Sequence, residues 1–294
     1  MSPSLLNLRA RTDDRRTTIC RTEAKPRAAF TLIELIFSMA ILSFSAAVFG
    51  GLMLAISGAW EHSTALEDSR RQAQAALGRI KWMVQQCGTY RVSGGATTPG
   101  LAVVGTNWGG YQAPTTLVVW SGGSHGGMNA QGLQSRLPVA SELAVYVPDS
   151  TNPALLVEVT FPGNTIAIDF NASDFTTRIA TLLSSTSRQS VVLADRVHVT
   201  PSTQTSLPRL GNVRFELRQA PTNSEIAAVT VGSQGWNNLA WGQGLVGADY
   251  GLRIANVRIE LLLDPDPRKP ASDRGFSTAL PFPASVNRQY VYEP

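Results

Sequence analysis

The chain has 294 residues, 43% of them hydrophobic and 16% charged, so it can bury the core of a medium-sized domain and does not have the composition of a disordered protein. Residues 1–29 hold seven basic and three acidic side chains and so carry the whole formal net charge of +4. The remaining residues balance at 18 basic and 18 acidic side chains, so the overall charge does not indicate nucleic-acid binding.

The two cysteines, Cys20 and Cys87, do not form the pattern of a disulfide framework. A chain without residues 1–29 would keep one thiol, so cysteine usage neither requires nor excludes export. We expect Cys87 to be a small buried residue, and intermolecular pairing is the alternative.

A long apolar segment follows the basic leader, and Glu34 is its only ionisable side chain between Arg27 and Glu61. A helix of about 20 apolar residues is enough to cross a bilayer. The basic residues before the segment predict that the leader lies in the cytoplasm and that the chain after the segment is exported. The alternative is a secretory signal cut near Ala47, but the usual apolar core of such a signal is about 7–15 residues, which this segment exceeds.

Glu34 distinguishes the segment from a passive anchor. An acidic side chain near the centre of a membrane helix costs about 2.5–3.5 kcal/mol on insertion scales, and intramembrane acids usually have a partner and a role. A simple anchor does not need such a residue, so Glu34 is a candidate functional side chain.

The sequence AFTLIEL at residues 29–35, preceded by basic side chains, resembles the class III signal of type IV prepilins and type II secretion pseudopilins. The resemblance implies that a prepilin peptidase cuts on the cytoplasmic side before Phe30 and methylates its new amino group. It also implies that Glu34 meets the positive amino terminus of a neighbouring subunit during assembly. The chain departs from the family at Ala29, where Gly is usual, although Ala29 is also small.

Elementary electrostatics agrees with this implied role of Glu34. A new ammonium group at Phe30 and the Glu34 carboxylate would both be poorly solvated inside an apolar filament, so pairing them offsets both penalties. Breaking a buried ion pair leaves a bare charge and costs about 3–5 kcal/mol. Such a pair can therefore fix the axial register of neighbouring subunits.

The helical pattern continues from the apolar run, residues 30–60, into an amphipathic stretch at residues 61–88. Apolar residues recur there at helical spacing, and Gly88 is the predicted stop. Four small residues, Ser43, Ala47, Gly51 and Ala55, recur every four positions in the apolar half. Such a stripe lets helices approach closely, and the alternative is the general tolerance of membrane helices for small residues.

Residues 89–263 predict an exported, mainly β domain, so the predicted fold class is α+β, with the long amino-terminal helix packed on a mainly antiparallel sheet. We expect the helix to bury Leu66, Leu77, Ile80 and Val84, with a loop at 90–114 and a Pro-rich tail at 264–294. A short helix is expected at 172–184, capped by Asn171 or Ser173. The expected strands are Thr115–Trp120, Glu142–Val147, Leu155–Phe161, Val191–Thr200, Asn212–Leu217, Ile226–Val231 and Leu252–Leu263.

The layout of residues 90–265 is similar to that of larger minor pseudopilins, the J type of type II secretion, and of related minor pilins. The similarity lies in the spacing of VVLADRVHV, NVRFELR, the Trp236 and Trp241 stretch, and RIANVRIELLLDPD. It implies a minor subunit rather than a major one.

The sequence contains only weak signals for a catalytic or metal-binding site. The histidines, His62, His125 and His198, lie far apart, and we expect His198 on the polar side of a sheet. Asp264 and its neighbouring acid could touch calcium, but prolines interrupt the loop, so we predict an exposed tail there and no metal or cofactor. The aromatic residues predict core packing, with an interaction face as the alternative.

The sequence therefore predicts a non-enzymatic minor pilin or pseudopilin, cleaved, N-methylated and built into a type IV pilus or type II secretion pseudopilus. Its expected partners are other pilins or pseudopilins, the prepilin peptidase and the inner-membrane assembly platform. It is expected to reside in the inner membrane with its carboxy-terminal domain in the periplasm. The alternative function is a membrane-anchored exported binding or enzymatic domain, in which Glu34 would be incidental.

Overall fold

The computed structural model describes residues 31–92, 94–108, 111–120, 133–200, 210–265 and 279–294. The chain divides into two compact units, Met1–Ser57 and Gly58–Pro294. The helix α1 (Leu32–Gln85, 54 residues) begins in the first unit and ends in the second.

In the first unit, the apolar side chains of α1 are exposed, as Leu32, Phe37 and Leu54 illustrate. Serine hydroxyls there bond back to the helix backbone, as at Ser38, whose hydroxyl donates to the Glu34 carbonyl at 2.7 Å. Among the described residues, α1 is the one helix long and apolar enough to cross a membrane, judged by its length and composition.

In the second unit, α1 buries one face. The buried positions repeat every three or four residues, as expected for a helix that covers a core on one side. They are Ser69, Ala73, Ala76, Leu77, Ile80, Met83 and Val84. The predicted contacts of Leu77, Ile80 and Val84 are therefore confirmed, whereas Leu66 is only half-buried and the helix ends at Gln85, before Gly88.

The described strands of the second unit form two large antiparallel sheets and two small ones. In chain order they are β1 (Thr89–Tyr90), β2 (Thr98–Pro99), β3 (Leu101–Trp108), β4 (Tyr111–Trp120), β5 (Leu133–Gln134), β6 (Leu143–Pro148), β7 (Leu156–Thr160), β8 (Gln189–Ala194), β9 (Val199–Thr200), β10 (Leu210–Gly211), β11 (Val213–Ala220), β12 (Gly251–Leu263) and β13 (Leu280–Tyr292). The large sheets have the orders β3-β4-β6-β7-β8 and β11-β12-β13. The small sheets are β2-β1-β5 and β10-β9.

The helix face and both large sheets share one hydrophobic core. Ile80 of α1 lies in the same buried cluster as Leu117 of β4 and Val257 of β12. Val118, the neighbour of Leu117, belongs to a second cluster, because successive strand residues point to opposite faces of a sheet. The second cluster is covered by the helix α2 (Phe175–Ser184), which explains why β4 is apolar on both faces.

The α+β fold class is confirmed, with a long helix and mainly antiparallel sheets. Five of the seven expected strands match observed ones closely. They are those at Thr115–Trp120, Glu142–Val147, Leu155–Phe161, Asn212–Leu217 and Leu252–Leu263.

The expected strand at Val191–Thr200 is in fact two strands, because β8 ends at Ala194 and β9 begins at Val199. The prediction of a strand at Ile226–Val231 is wrong. Its first residues belong to the helix α3 (Asn223–Ala227), where Thr222 and Glu225 form a reciprocal capping box. That local signal outweighs the alternating apolar pattern.

The expected loop at 90–114 is also wrong in part, because β3 occupies Leu101–Trp108 and pairs with β4. A register shift between Val104 and Gly105 accommodates the glycine that made this stretch resemble a loop. The expected tail at 264–294 contains the strand β13. Pro281 and Pro283 fit there because β13 is an edge strand.

The helix expected at 172–184 starts later, at Phe175, with Asp174 as its N-cap residue. The predicted caps are therefore wrong. The Asn171 side chain instead donates to the Thr98 hydroxyl at 2.6 Å.

Candidate functional site

Glu34 lies in the first turn of α1 and is exposed. Its Oε2 accepts hydrogen bonds from the Thr31 backbone N–H at 3.0 Å and from the Thr31 hydroxyl at 3.1 Å. The Glu34 backbone N–H in turn faces the Thr31 hydroxyl oxygen at 3.4 Å. This reciprocal pattern is a capping box, which satisfies backbone donors that the start of a helix leaves free.

The capping box gives Glu34 a role within its own chain. A carboxylate in the first turn also interacts favourably with the positive end of the helix dipole. Because a carboxylate has about four acceptor positions, these contacts leave room for a second cationic partner. The spacing of Thr31 and Glu34 is the sequence signal for this box, which the prediction of Glu34 as an assembly residue missed.

The other predicted site residues fall into two groups. Ala29 and Phe30, the predicted cleavage and methylation residues, lie outside the described residues. The four residues of the small-residue stripe lie on α1 in the first unit and are exposed, namely Ser43, Ala47, Gly51 and Ala55. The Ser43 hydroxyl donates to the Met39 carbonyl at 2.8 Å, so it is satisfied within the helix. Their role in helix packing stays a prediction.

Comparison with known families finds a match at the amino-terminal segment. Residues 24–50 match the family described as the prokaryotic N-terminal methylation motif. No curated protein and no solved structure matches the chain. The match confirms the resemblance of the amino-terminal segment to a class III signal and is consistent with a type IV pilin or pseudopilin precursor.

The second unit contains a buried pair that the sequence interpretation placed on the surface. His198 Nδ1 lies 2.8 Å from Asp264 Oδ1, and both side chains are buried. The expectation of a polar-face His198 and an exposed Asp264 is therefore wrong, because a bridge between Val197 and Leu263 draws both neighbours into the core. His62 is exposed, and His125 lies outside the described residues.

A metal centre has no support in the described part of the chain, where no group of three His, Cys, Asp or Glu side chains could hold an ion. Two other buried carboxylates of the described residues are held by arginines. Glu158 receives two hydrogen bonds from Arg79, each 2.8 Å, and Glu142 receives two from Arg136 and one from Trp120 Nε1. These networks satisfy buried polar groups and need no ligand.

The buried aromatic residues favour core packing over an interaction face. The side chains of Trp120, Trp236, Trp241 and Tyr290 are buried. Tyr250 is exposed, and nothing is described for the side chains of Trp108 and Tyr111. Trp236 and Trp241 pack against each other with ring centroids 4.7 Å apart, next to Tyr292.

Cys87 is fully buried and free, as expected. Burial raises the pKa of its thiol to about 12, against a smaller opposing effect of Arg288. The thiolate is the nucleophilic form of cysteine, so this residue is inert in the folded chain.

Proposed function

We propose that the protein is a minor pilin or pseudopilin subunit. In this proposal a prepilin peptidase removes residues 1–29, methylates Phe30 and delivers the subunit to an inner-membrane assembly platform. The subunit then joins other pilins in a type IV pilus or type II secretion pseudopilus, with its β-rich unit in the periplasm or beyond. The observation that carries the proposal is the methylation motif at residues 24–50.

The exposure of the amino-terminal helix supports the proposal. Large apolar side chains such as Phe44 and Leu54 are more than 70% exposed in the single chain, which is unfavourable in water. A bilayer covers them before assembly, and the packed helices of other subunits cover them afterwards. Both environments are apolar, so transfer between them needs no change in the helix surface.

Glu34 supplies the register of assembly in this proposal. Its capping box stabilises the helix start in the single subunit, and its carboxylate accepts the amino group of a neighbouring Phe30 in the filament. Residues 33 and 36 are apolar, so an unpaired charge at this depth of a filament would be costly. Subunits stacked out of register would leave both charges unpaired.

The layout of the β-rich unit supports a minor, J-type-like role. That unit is large, and its two large sheets and long edge strand β13 extend well beyond one hairpin on a helix. A bulky exported unit suits a subunit that occurs in few copies, because a densely packed shaft limits the volume of each repeat.

The experiment that tests the proposal is measurement of the intact mass and amino-terminal residue of the full chain recovered from membranes. Cells with and without an active prepilin peptidase are compared. A chain that begins at N-methylated Phe30 only when the peptidase is active supports the proposal. A matched Ala29→Gly variant tests whether Ala29 slows processing, and we expect it to be cut at least as fast as the wild type.

An intact leader in both strains, or a cut near Ala47, would overturn the proposal. The chain would then be a membrane-anchored or secreted domain, and the capping box would be a sufficient explanation of Glu34. The capping box is the specific observation that keeps this second function open.

A further inference from the structure

An open cavity of about 650 Å³ lies in the second unit, beside the edge strands β3 and β11 of the two large sheets. Its volume falls in the usual range of ligand pockets, about 300–1,000 Å³. The walls come from β2, β3, β11, α3 and the ends of β12 and β13. None of the features assigned to membrane insertion or filament assembly uses this cavity.

Arg253 provides the only charge among the described residues that line the cavity. It lies on the inward face of β12 and is 2% exposed. Its Nε donates to the Pro221 carbonyl at 2.7 Å, and its Nη2 donates to Asn223 Oδ1 at 2.7 Å. Its guanidinium carbon also lies 5.4 Å from the centre of the Tyr292 ring. These contacts fix the guanidinium in place.

The charge of Arg253 makes no ion pair within the described residues, although it acts at longer range on the exposed Glu225 carboxylate. No Asp or Glu oxygen there lies within 4.0 Å of it, whereas Arg79 and Arg136 both pair with carboxylates. The neighbouring Glu225 carboxylate is used to cap α3, where it accepts hydrogen bonds from Thr222. Buried charges are normally paired, because removal from water is costly.

A second buried polar group, Tyr290, lies beside Arg253. Tyr290 lies directly opposite Arg253 in the β12–β13 register and is 5% exposed. Its hydroxyl makes no well-aligned hydrogen bond within the described structure, and the adjacent Arg253 guanidinium opposes the rise in the Tyr290 pKa that burial causes. A guanidinium has five N–H donors, so Arg253 keeps donors beyond its two contacts to Pro221 and Asn223.

The rest of the lining is neutral and mixed in polarity. Asn171, Gln219 and Thr98 offer amide and hydroxyl groups. Phe170 and Ile226 offer apolar surface. A single fixed guanidinium among neutral polar groups favours a ligand with one negative charge and a planar hydrogen-bond acceptor group. The apolar wall favours a ligand in which this group is attached to an apolar organic part.

We propose that the cavity binds an organic carboxylate, with the carboxylate at Arg253 and the apolar part of the ligand against Phe170 and Ile226. The carboxylate comes from a small free acid or from the end of a polypeptide chain, and the two sources share this chemistry. The inference does not depend on filament assembly, since it concerns the second unit alone.

The test is calorimetric titration of the full chain in detergent micelles with matched probes. Benzoate carries the carboxylate, and benzamide is its neutral counterpart of similar shape. A tripeptide ending in phenylalanine, with a free or an amidated carboxyl terminus, represents a polypeptide end. Inorganic phosphate tests a general anion site. We expect saturable binding of benzoate at least about tenfold tighter than that of benzamide, because the charge-assisted bonds are lost in the amide.

The variant Asn223→Asp gives the sharpest control. It places a carboxylate where Asn223 Oδ1 already meets Arg253, so the chain supplies its own counter-ion. We expect a raised melting temperature and benzoate binding weakened at least about tenfold. Asn152→Asp makes the same charge change at an exposed residue that does not line the cavity, and we expect wild-type binding. Arg253→Met should abolish binding, and Asn223→Asp answers the question if Arg253→Met does not fold.

Each outcome decides the proposal. If the free-acid peptide binds more tightly than benzoate, the proposal is supported and the natural ligand is the end of a polypeptide. If benzoate binds more tightly than the peptide, the proposal is supported and the natural ligand is a small acid. Equal affinity for benzoate and benzamide overturns it, as does a lack of binding of both carboxylate probes. Phosphate binding as tight as that of benzoate, or Asn223→Asp binding benzoate like the wild type, also overturns it.

Discussion

The two halves of α1 differ in what covers their apolar residues. In the first unit, large apolar side chains from Leu32 to Ile56 are exposed, and the most apolar window of the helix has none of its residues buried. In the second unit, Ile80, Met83 and Val84 are completely buried against the sheets. One continuous helix therefore carries two apolar surfaces, of which one packs inside the folded chain and the other is exposed in the single chain.

Burial in the single chain distinguishes apolar residues that stabilise the fold from apolar residues that the folded chain leaves exposed. Residue type at a single position does not separate them, since Leu, Ile and Met occur in both halves. We expect substitution of a buried apolar residue to lower the free energy of unfolding, and substitution of an exposed one to affect membrane insertion or assembly instead.

The largest effect is expected at Glu34. Glu34→Gln keeps an oxygen that can accept the Thr31 N–H but removes the charge that would pair with a neighbouring amino group. We expect normal membrane insertion and at least a hundredfold loss of incorporation into filaments, because an unpaired buried charge costs about 3–5 kcal/mol. The measurement is the fraction of the chain recovered in sheared filaments relative to the membrane fraction.

Thr31→Val is the matched control for Glu34→Gln. It removes the capping hydroxyl but keeps the Glu34 charge, at an expected cost of about 1 kcal/mol in local helix stability. We expect near-normal incorporation. Failure of Thr31→Val to assemble, together with normal assembly of Glu34→Gln, would assign the function of Glu34 to the capping box.

A core substitution is expected to have the next largest effect. Ile80 is 0% exposed, whereas Ile41 on the same helix is 64% exposed. We expect Ile80→Ala to lower the free energy of unfolding by about 2–5 kcal/mol, and Ile41→Ala to change it by less than about 0.5 kcal/mol. Urea unfolding of the full chain in micelles, followed by tryptophan fluorescence, measures both. Equal effects would show that the first half of α1 also has a core within the chain.

The sequence predicts the regular parts of this molecule because local patterns determine them. The apolar run and the alternation in β12 each indicate one structure without ambiguity, so the helix and the strand at Gly251–Leu263 are as expected. The methylation motif is similarly local, being a fixed order of residue types near Glu34. Such signals depend on few distant contacts.

The remaining features depend on which segments meet in space. The pairing of His198 with Asp264 joins residues 66 positions apart, and no local pattern indicates that both are buried. Strand β13 is stabilised by its ladder with β12, although its prolines indicate a tail when taken alone. Several strands must come together to form the cavity at Arg253. Its sequence signal is therefore only one arginine among the otherwise apolar positions on the inward face of β12.

Ion pairs extend the comparison to polar residues of α1. Arg79 makes a two-bond contact with the buried Glu158, which also accepts from the Tyr146 hydroxyl. Arg71 pairs with Glu67 at 3.5 Å, with both side chains exposed. We expect Arg79→Met to cost about 2 kcal/mol, less than a fully buried pair because solvent reaches Arg79, and Arg71→Met at most about 0.5 kcal/mol. The same urea unfolding measures both, and equal costs would contradict the expected effect of burial.

The smallest effect concerns acid stability and compares two glutamates with the same local geometry. Glu142 accepts from the Val139 backbone N–H, and Glu225 accepts from the Thr222 backbone N–H, each three residues earlier. Burial acts to raise the pKa of Glu142, but hydrogen bonds from Arg136 and Val139 outweigh it, so the pKa lies below its usual value. The pKa of the exposed Glu225 is lowered chiefly by Thr222.

A lowered pKa in the folded state gives stability that is present above the unfolded pKa, about 4.3, and is lost as the pH falls through the folded value. We therefore expect the melting temperature of the wild type to fall between pH 6 and pH 3, and Glu142→Gln to make that fall shallower. Glu225→Gln should reduce it less, because solvent screens the exposed group. A pH dependence unchanged in Glu142→Gln would show that other carboxylates control acid unfolding. A larger effect of Glu225→Gln would show that cap geometry, rather than burial, sets the contribution of a glutamate in this fold.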